Sequence, residues 1–413
     1  MSLRVAAENF PTFPVAGEAV AENLLVVREY DEERDKAATE RMEKRCEIGQ
    51  RGKPSLVTDL LGDPICRIRN FSSHVMLVAE YGEEREMVGV IRACVKIVTT
   101  GNSLLANYVK VAYILGLRVS PTHRRLGIGT KLVDKIEEWC KKNGVEYSYI
   151  ATDCTNQPSI NLFTKRCSYT KFRSLSMLVQ PVHAHYKSLN SNNIAIVRFT
   201  SKLAESIYRR VFSKAEFFPR DIDTILSSRL NLGTFMAMPK KYLPKWDPKT
   251  GILPSNFAII SIWNTKEVFK LQVKGVSKLT CACCKGSRLL DSWMPWLRLP
   301  SFPDVFRKFG VYFLYGLHME GKGASRLLKA LCAFAHNMAR DDDGCGALVA
   351  EAGQLDPVRD VIPHWRKFSW AEDLWCIKKL TDEKINVDES CRSYDWMKSR
   401  PSSSVIFVDP RDF

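Results

Sequence analysis

The sequence predicts an α/β protein of two tandem domains, each a mixed, twisted sheet flanked by helices, with the second a degenerate copy of the first. Three observations carry that expectation. At 413 residues the chain exceeds one ordinary hydrophobic core. Two glycine-rich turns, Gly127/Gly129 and Gly321/Gly323, each sit between an apolar strand and a long helical pattern. The order of strands and helices on either side of residues 181–193 also repeats, as an internal duplication requires.

Residues 1–23 contain Glu8, Glu18 and Glu22, a single arginine and no long apolar run, which suits a flexible tail better than a secretory or transit segment. The first domain is placed at 24–180. Residues 24–28 form a short apolar strand, and 31–45 have the spacing and charge of a helix. Residues 76–80 and 87–98 are expected as antiparallel strands joined by the polar turn 82–86. Residues 111–119 are nearly all apolar and predict a strand buried on both faces, stopped by Pro121. From Gly129 the period becomes helical, with Leu132, Val133, Ile136 and Trp139 on one face and Gly144 as the stop. Strand 147–151, a short helix 158–166 and strand 172–179 complete the unit.

Residues 181–193 are turn-prone and polar, and are assigned as a linker. In the second domain, 194–381, strands are expected at 194–199, 232–238, 258–263, 268–273 and 311–317, with a helix at 203–212. A long helix follows Gly323 and runs through 339, then come strand 345–351, a short helical segment 358–365 and strand 374–380. The tail 382–413 contains a late strand at 404–409.

Composition excludes several classes. No run of eighteen apolar residues spans a membrane. The 13 cysteines are odd in number and mostly lie in apolar patterns, so reduced thiols in the nucleus or cytosol are expected, with the nucleus favoured. Cys281, Cys283 and Cys284 are expected in a loop and lack a second ligand pair, and His183 and His185 lie too far along the chain to supply one, so no metal is assigned. The formal charge of +15 points to an anionic ligand. Neither a basic block nor an RNA-binding aromatic pattern accompanies it, so direct nucleic-acid binding is not expected.

The chemistry centres on Arg124-Arg125-Leu126-Gly127-Ile128-Gly129-Thr130. Glycines there clear side chains from a strand-to-helix turn, so unpaired N–H groups at a positive helix end can receive a pyrophosphate. Leu132 stands where a dinucleotide fingerprint needs its third glycine, and the Gly-Lys-Ser/Thr of a P-loop is absent.

The segment resembles the Arg/Gln-x-x-Gly-x-Gly/Ala cofactor motif of the GNAT N-acetyltransferase superfamily, and Asn156-x-x-Ser159-x-x-Leu162-Phe163 resembles that family's second motif. The whole chain is similar to Hookless-type plant N-acetyltransferase-like proteins, on residues 55–69, 147–152, 216–223 and 406–413. That resemblance implies acetyl-CoA as co-substrate and an amine acceptor, plausibly a protein lysine or N-terminus, in growth and hormone response. It further implies that the main chain of Leu117 and Val119 bonds the pantetheine arm. The N–H groups of Leu126, Gly127, Ile128, Gly129 and Thr130, beside Arg124 and Arg125, would take the pyrophosphate, and Asn156 would contact the pantetheine.

Catalytic groups are less legible. Phe163 replaces the family's frequent tyrosine acid, Ser168 stands where glycine is usual, and 111–119 carries no carboxylate for the base. Glu80 and Asp153 remain as candidate bases, Tyr147 and Tyr169 as candidate acids. An alternative reading is an acyl-CoA-binding regulator with weakened chemistry. The second turn, His318-x-x-Gly321-x-Gly323, departs from the motif and marks the degenerate copy.

Overall fold

A computed structural model of the chain describes residues 24–45, 55–101, 108–189, 193–366, 369, 372–381, 396–397 and 404–413. The tail expected at 1–23, linker positions 190–192 and nearly all of 382–403 lie outside the described residues. In order, the elements are β1 (Leu25–Glu29), α1 (Glu32–Arg45), β2 (Ser55–Asp59), β3 (Ser73–Tyr81), β4 (Glu86–Thr100), β5 (Tyr108–Val119), α2 (Ile128–Lys142), β6 (Tyr147–Asp153), α3 (Gln157–Asn161) and β7 (Thr170–Pro181). The second half gives β8 (Ile194–Arg198), α4 (Ser201–Val211), β9 (Glu216–Pro219), α5 (Ile222–Ser227), β10 (Asn231–Pro239), β11 (Phe257–Asn264), β12 (Lys270–Lys274), α6 (Lys278–Trp293), β13 (Gly310–Glu320), α7 (Ala324–Arg340), β14 (Cys345–Gly353) and β15 (Asp373–Lys379).

The two halves share one sheet of 13 strands, in the order β1-β3-β4-β5-β6-β15-β7-β14-β13-β11-β10-β8 with β9 paired to β4 off this path. Strands cross between the halves: β9 pairs with β4 and β12 with β2, and two further crossings join the main path. Late in the chain, β15 enters antiparallel between β6 and β7, and β7 in turn pairs with β14. Each repeat is therefore completed by a strand next to the other repeat, an arrangement no local pattern announces.

Side chains opposite one another in register share a face. On one face α2 packs over Ala112, Ile114 and Ile150, and α7 over Leu348 and Ala350. The other face carries a single core drawn from both halves, including Tyr113, Tyr149, Trp375, Val349 and Phe313. The helices follow their sequence signals: α2 buries Leu132, Val133 and Ile136 and ends at Asn143 before Gly144, whose φ is +67°.

The segment expected as a late strand makes only an isolated bridge, Ile406 to Glu216. Its weight is in burial. Asp412 accepts from Lys96 Nζ at 2.5 Å and from Tyr149 OH at 2.8 Å, and Phe413 stacks on Phe313 at 4.7 Å.

Two further differences from expectation concern residues near the linker. Val182, His183, Ala184 and His185 are buried, with the Ala184 and His185 N–H groups donating to Asp291 Oδ2 at 2.9 and 3.2 Å. Cys281, Cys283 and Cys284 lie on α6 and not in a loop; Ser277 caps that helix by accepting from Thr280 N at 3.1 Å. Among the described residues no group of three metal-ligating side chains assembles.

Candidate active site

Two features of the backbone build the site. The first is a parting of strands. β5 and β6 pair in parallel only from Val111/Tyr147 to Ile114/Ile150. Beyond that point β5 stays with β4, reaching Val119 opposite Gly89, while β6 stays with β15 as far as Asp153 opposite Asp373. The divergence starts at Gly116, whose φ of +63° coincides with a register shift against β4. A bulge at this point turns the strand away from its neighbour. The positive φ at residue 116 favours glycine, and a Cβ there would also crowd the Arg92 guanidinium at 2.7 Å.

The second feature is the start of α2. Gly127 is its N-cap at φ +78°, with no side-chain cap, and a Cβ there would meet nothing within 4 Å. Conformation, not space, requires glycine at this position. Gly129 is different: its Cβ would come within 3.3 Å of Leu162, so the second motif packs directly on the helix start made by the first. The first N–H groups of α2 have no protein acceptor among the described residues until Lys131 N bonds Gly127 O at 3.0 Å. Arg124, Arg125 and Leu126 are exposed beside them, and neither arginine is ion-paired among the described residues. An open, positive helix end next to a cleft between strands fits a phosphate-bearing arm that lies between β5 and β6.

Other predicted positions are placed as follows. Leu117 is half-buried, and its carbonyl accepts from Arg118 Nη1 at 3.0 Å. Asn156 caps α3, accepting from Ser159 N at 3.4 Å. Its side-chain amide is exposed toward solvent. Glu80 sits at the β1 edge, where its Oε1 accepts from Arg28 at 2.6 Å and Arg34 at 2.5 Å. Tyr147 begins β6, at the end away from the parting, edge-on to Trp396. Tyr169 is buried with its hydroxyl 2.8 Å from Ser148 Oγ, and burial pushes its phenol well above the ordinary value. Asp153 stands at the parting itself, with Oδ1 accepting from Thr155 N at 2.7 Å and Thr155 Oγ1 at 2.6 Å. The four candidate acids and bases are thus scattered, and only Asp153 lies beside the opening. Phe163 is a buried core side chain, edge-on to Tyr169.

Sequence reasoning missed the groups lining the opposite face. Arg92 is 4% exposed, ion-paired to Glu43, and donates to Pro64 O at 2.6 Å and Gly116 O at 3.4 Å. Charged residues inside the apolar stretch 87–98 (Arg92 and Lys96) were the available signal. Tyr113 is buried on β5, stacked on Tyr149 at 4.9 Å, and burial pushes its phenol far up. Glu351 and Asp373 come from the second half. Burial, then the neighbouring Asp373 and Asp412 charges, push Glu351 up to about 8; burial, then Asp153, push Asp373 up to about 6.

Residues 41–169 match the profile of the acetyltransferase (GNAT) family. "Probable N-acetyltransferase HLS1" of Arabidopsis thaliana is 48% identical over 410 residues, covering 94% of this chain and 100% of its own. "Acetyl transferase GW6a" of Oryza sativa subsp. japonica is 39% identical, with 94% and 98% covered. In architecture the chain is similar to Saccharomyces cerevisiae N-myristoyltransferase with bound myristoyl-CoA, at a TM-score of 0.53 and 9% identity over 90% of this chain and 85% of that one.

Proposed function

This chain belongs to the acetyltransferase (GNAT) family and is an acyltransferase; we propose that it moves the acetyl group of acetyl-CoA to an amine of a protein, in a regulatory role in plant growth. The observation that carries this reading is the conjunction at residues 116–130: strands that part at a left-handed glycine, under an uncapped helix end flanked by two unpaired arginines. The pyrophosphate is held by the N–H groups of residues 126–130 with Arg124 and Arg125, and the pantetheine by the main chain of Leu117 and Val119 and by Asn156. When bound, acetyl-CoA supplies an activated thioester. The chain's share is to fix that carbonyl beside β5 N–H groups and to exclude water from it.

The growth role rests on the relatives' standing as acetyltransferases of the Hookless type. A second reading, an acyl-CoA-binding regulator with weakened chemistry, draws support from Phe163, which offers no proton. Calorimetric titration with acetyl-CoA separates the readings from their rivals. Wild type is expected to bind one equivalent, and the Gly127→Asp/Gly129→Asp double variant, checked for folding, to lose at least 100-fold in affinity. Well-folded wild type that does not bind would overturn both readings. Binding without turnover on histone peptides, protein N-termini or polyamines would select the regulator.

A further inference from the structure

The acceptor side of the parted strands is built by the second half of the chain. On the face opposite α2, Asp153 of β6 lies directly across from Asp373 of β15, and Asp373 across from Leu175 of β7. One residue pair further along β7, Met177 faces Glu351 of β14. Three carboxylates therefore line one face near the C-terminal end of β6.

A group of acids alone would say little, but buried polar atoms without partners accompany it. Tyr113 is 7% exposed and lies in the core on this face. That phenol feels the charges of Asp373, Glu351, Arg67 and Asp412 together, so it shares their space. Trp375 Nε1 and Asp412 Oδ1 are buried on this face without a hydrogen-bond partner among the described residues.

Resting on the acetyl-transfer reading, we propose that this face is the acceptor site, that it takes a cationic primary amine such as a lysine side chain or a polyamine, and that Asp373 is the catalytic base. Position selects Asp373 among the three. It is one strand from the opening, about 5 Å across, whereas Glu351 is three strands from β6. It makes no hydrogen bond among the described residues, whereas Asp153 already serves Thr155. Asp153 supplies further negative charge beside Asp373.

The step balances within the site. Asp373, ionised, takes one proton from the ammonium. The freed nitrogen forms the C–N bond to the acetyl carbon as the C–S bond breaks, and its second displaced proton ends on the departing sulfur. Asp373 then returns its proton to solvent. The groups that interact with Asp373 are Asp153 on β6, Glu351 on β14 and Tyr113 on β5.

The test uses the full chain with spermidine and a lysine-rich histone-tail peptide. Asp373→Asn is expected to lower kcat about 100- to 1000-fold, the scale of a lost general base, with little change in acetyl-CoA affinity. Wild-type kcat/KM is expected to fall as pH drops below about 6, where Asp373 protonates. That acid limb should vanish in Asp373→Asn and return in part in Asp373→Glu. Asp153→Asn is expected to raise KM for the cationic amine with a smaller change in kcat. An Asp373→Asn variant with wild-type kcat and pH profile would overturn the assignment. So would wild type that binds acetyl-CoA yet neither binds nor acetylates either amine, a result that leaves cofactor binding intact. Failure to bind acetyl-CoA at all would instead remove the reading on which the site rests.

Discussion

At residue 116 and again at residue 316 the chain makes the same move. In each repeat two parallel strands pair as far as Ile114/Ile150 or Leu314/Ala350, and a left-handed glycine follows two residues later, at φ +63° and +58°. A second left-handed glycine, Gly127 or Gly323, then caps a long helix with no side-chain help. The backbones are alike; their occupants differ. In the second copy the Tyr208 hydroxyl lies 2.2 Å from where a Cβ on Gly316 would stand, and it donates to Gly316 O at 3.3 Å. Lys322 N, near the helix start, is taken by Asn256 Oδ1 at 3.1 Å. Three residues before the capping glycine, Arg124 of the first copy becomes Glu320 in the second, because the second turn is shorter and Gly323, not Gly321, does the capping. His318, which the motif spacing put in the arginine's place, instead lies between Phe212 and Phe257. A duplicated backbone thus keeps its bulge and cap after losing its ligand, since those features also serve folding. Anion binding needs vacant donors and positive charge as well.

The largest expected effect breaks the symmetry outright. Gly127→Asp/Gly129→Asp should abolish acetyl-CoA binding, while Gly323→Asp should leave the affinity and the stoichiometry of one unchanged. Two equal sites by calorimetry would end the claim that the second copy is degenerate.

An intermediate effect concerns the plug. Tyr208→Phe removes a buried hydroxyl bonded to Ser261 Oγ at 2.7 Å and leaves Ser261 still bonded to Thr234 at 2.6 Å. Chemical denaturation should show a loss of about 1 kcal/mol, with acetyl-CoA affinity untouched. A change in affinity would mean the two cores are coupled more tightly than their separate occupants imply.

The smallest effect is a pH dependence. Glu351 is pushed up to about 8 from 4.5 by burial, so between those values the folded chain binds more protons than the unfolded one. Stability is then lost as pH rises through that window. Glu351→Gln cannot ionise and should melt higher than wild type at pH 8, with the difference shrinking toward pH 5. An equal difference at both values would show that the carboxyl group is not held neutral by its surroundings.

Legibility followed sequence distance. The turn at 124–130 and the Asn156 helix could be read because each needs only local chemistry: glycine where φ is positive, arginine beside open donors, a cap residue before a short helix. The contact of Gly129 with Leu162 is likewise implied by two motifs with one strand between them. Asp373 and Glu351 carried no such signal. Either acid on a short strand reads as a solvated end, and nothing near residue 373 indicates that it will lie across from residue 153. The helix at 278–293 was hidden by its cluster of cysteines and by Gly286, residues that lower local helix preference until packing overrides them.

By itself the sequence determined the repeat, the sites of chain reversal and the glycine turn at residues 124–130, because periodicity and glycine conformation act within a few residues. Only the tertiary structure decided which copy stayed open and what faces the opening. Those depend on Tyr208 entering one bulge, on β15 passing between β6 and β7, and on burial shifting Asp373 and Glu351. Each is an interaction between groups distant in the chain, whose energy exists only once the sheet has brought them together.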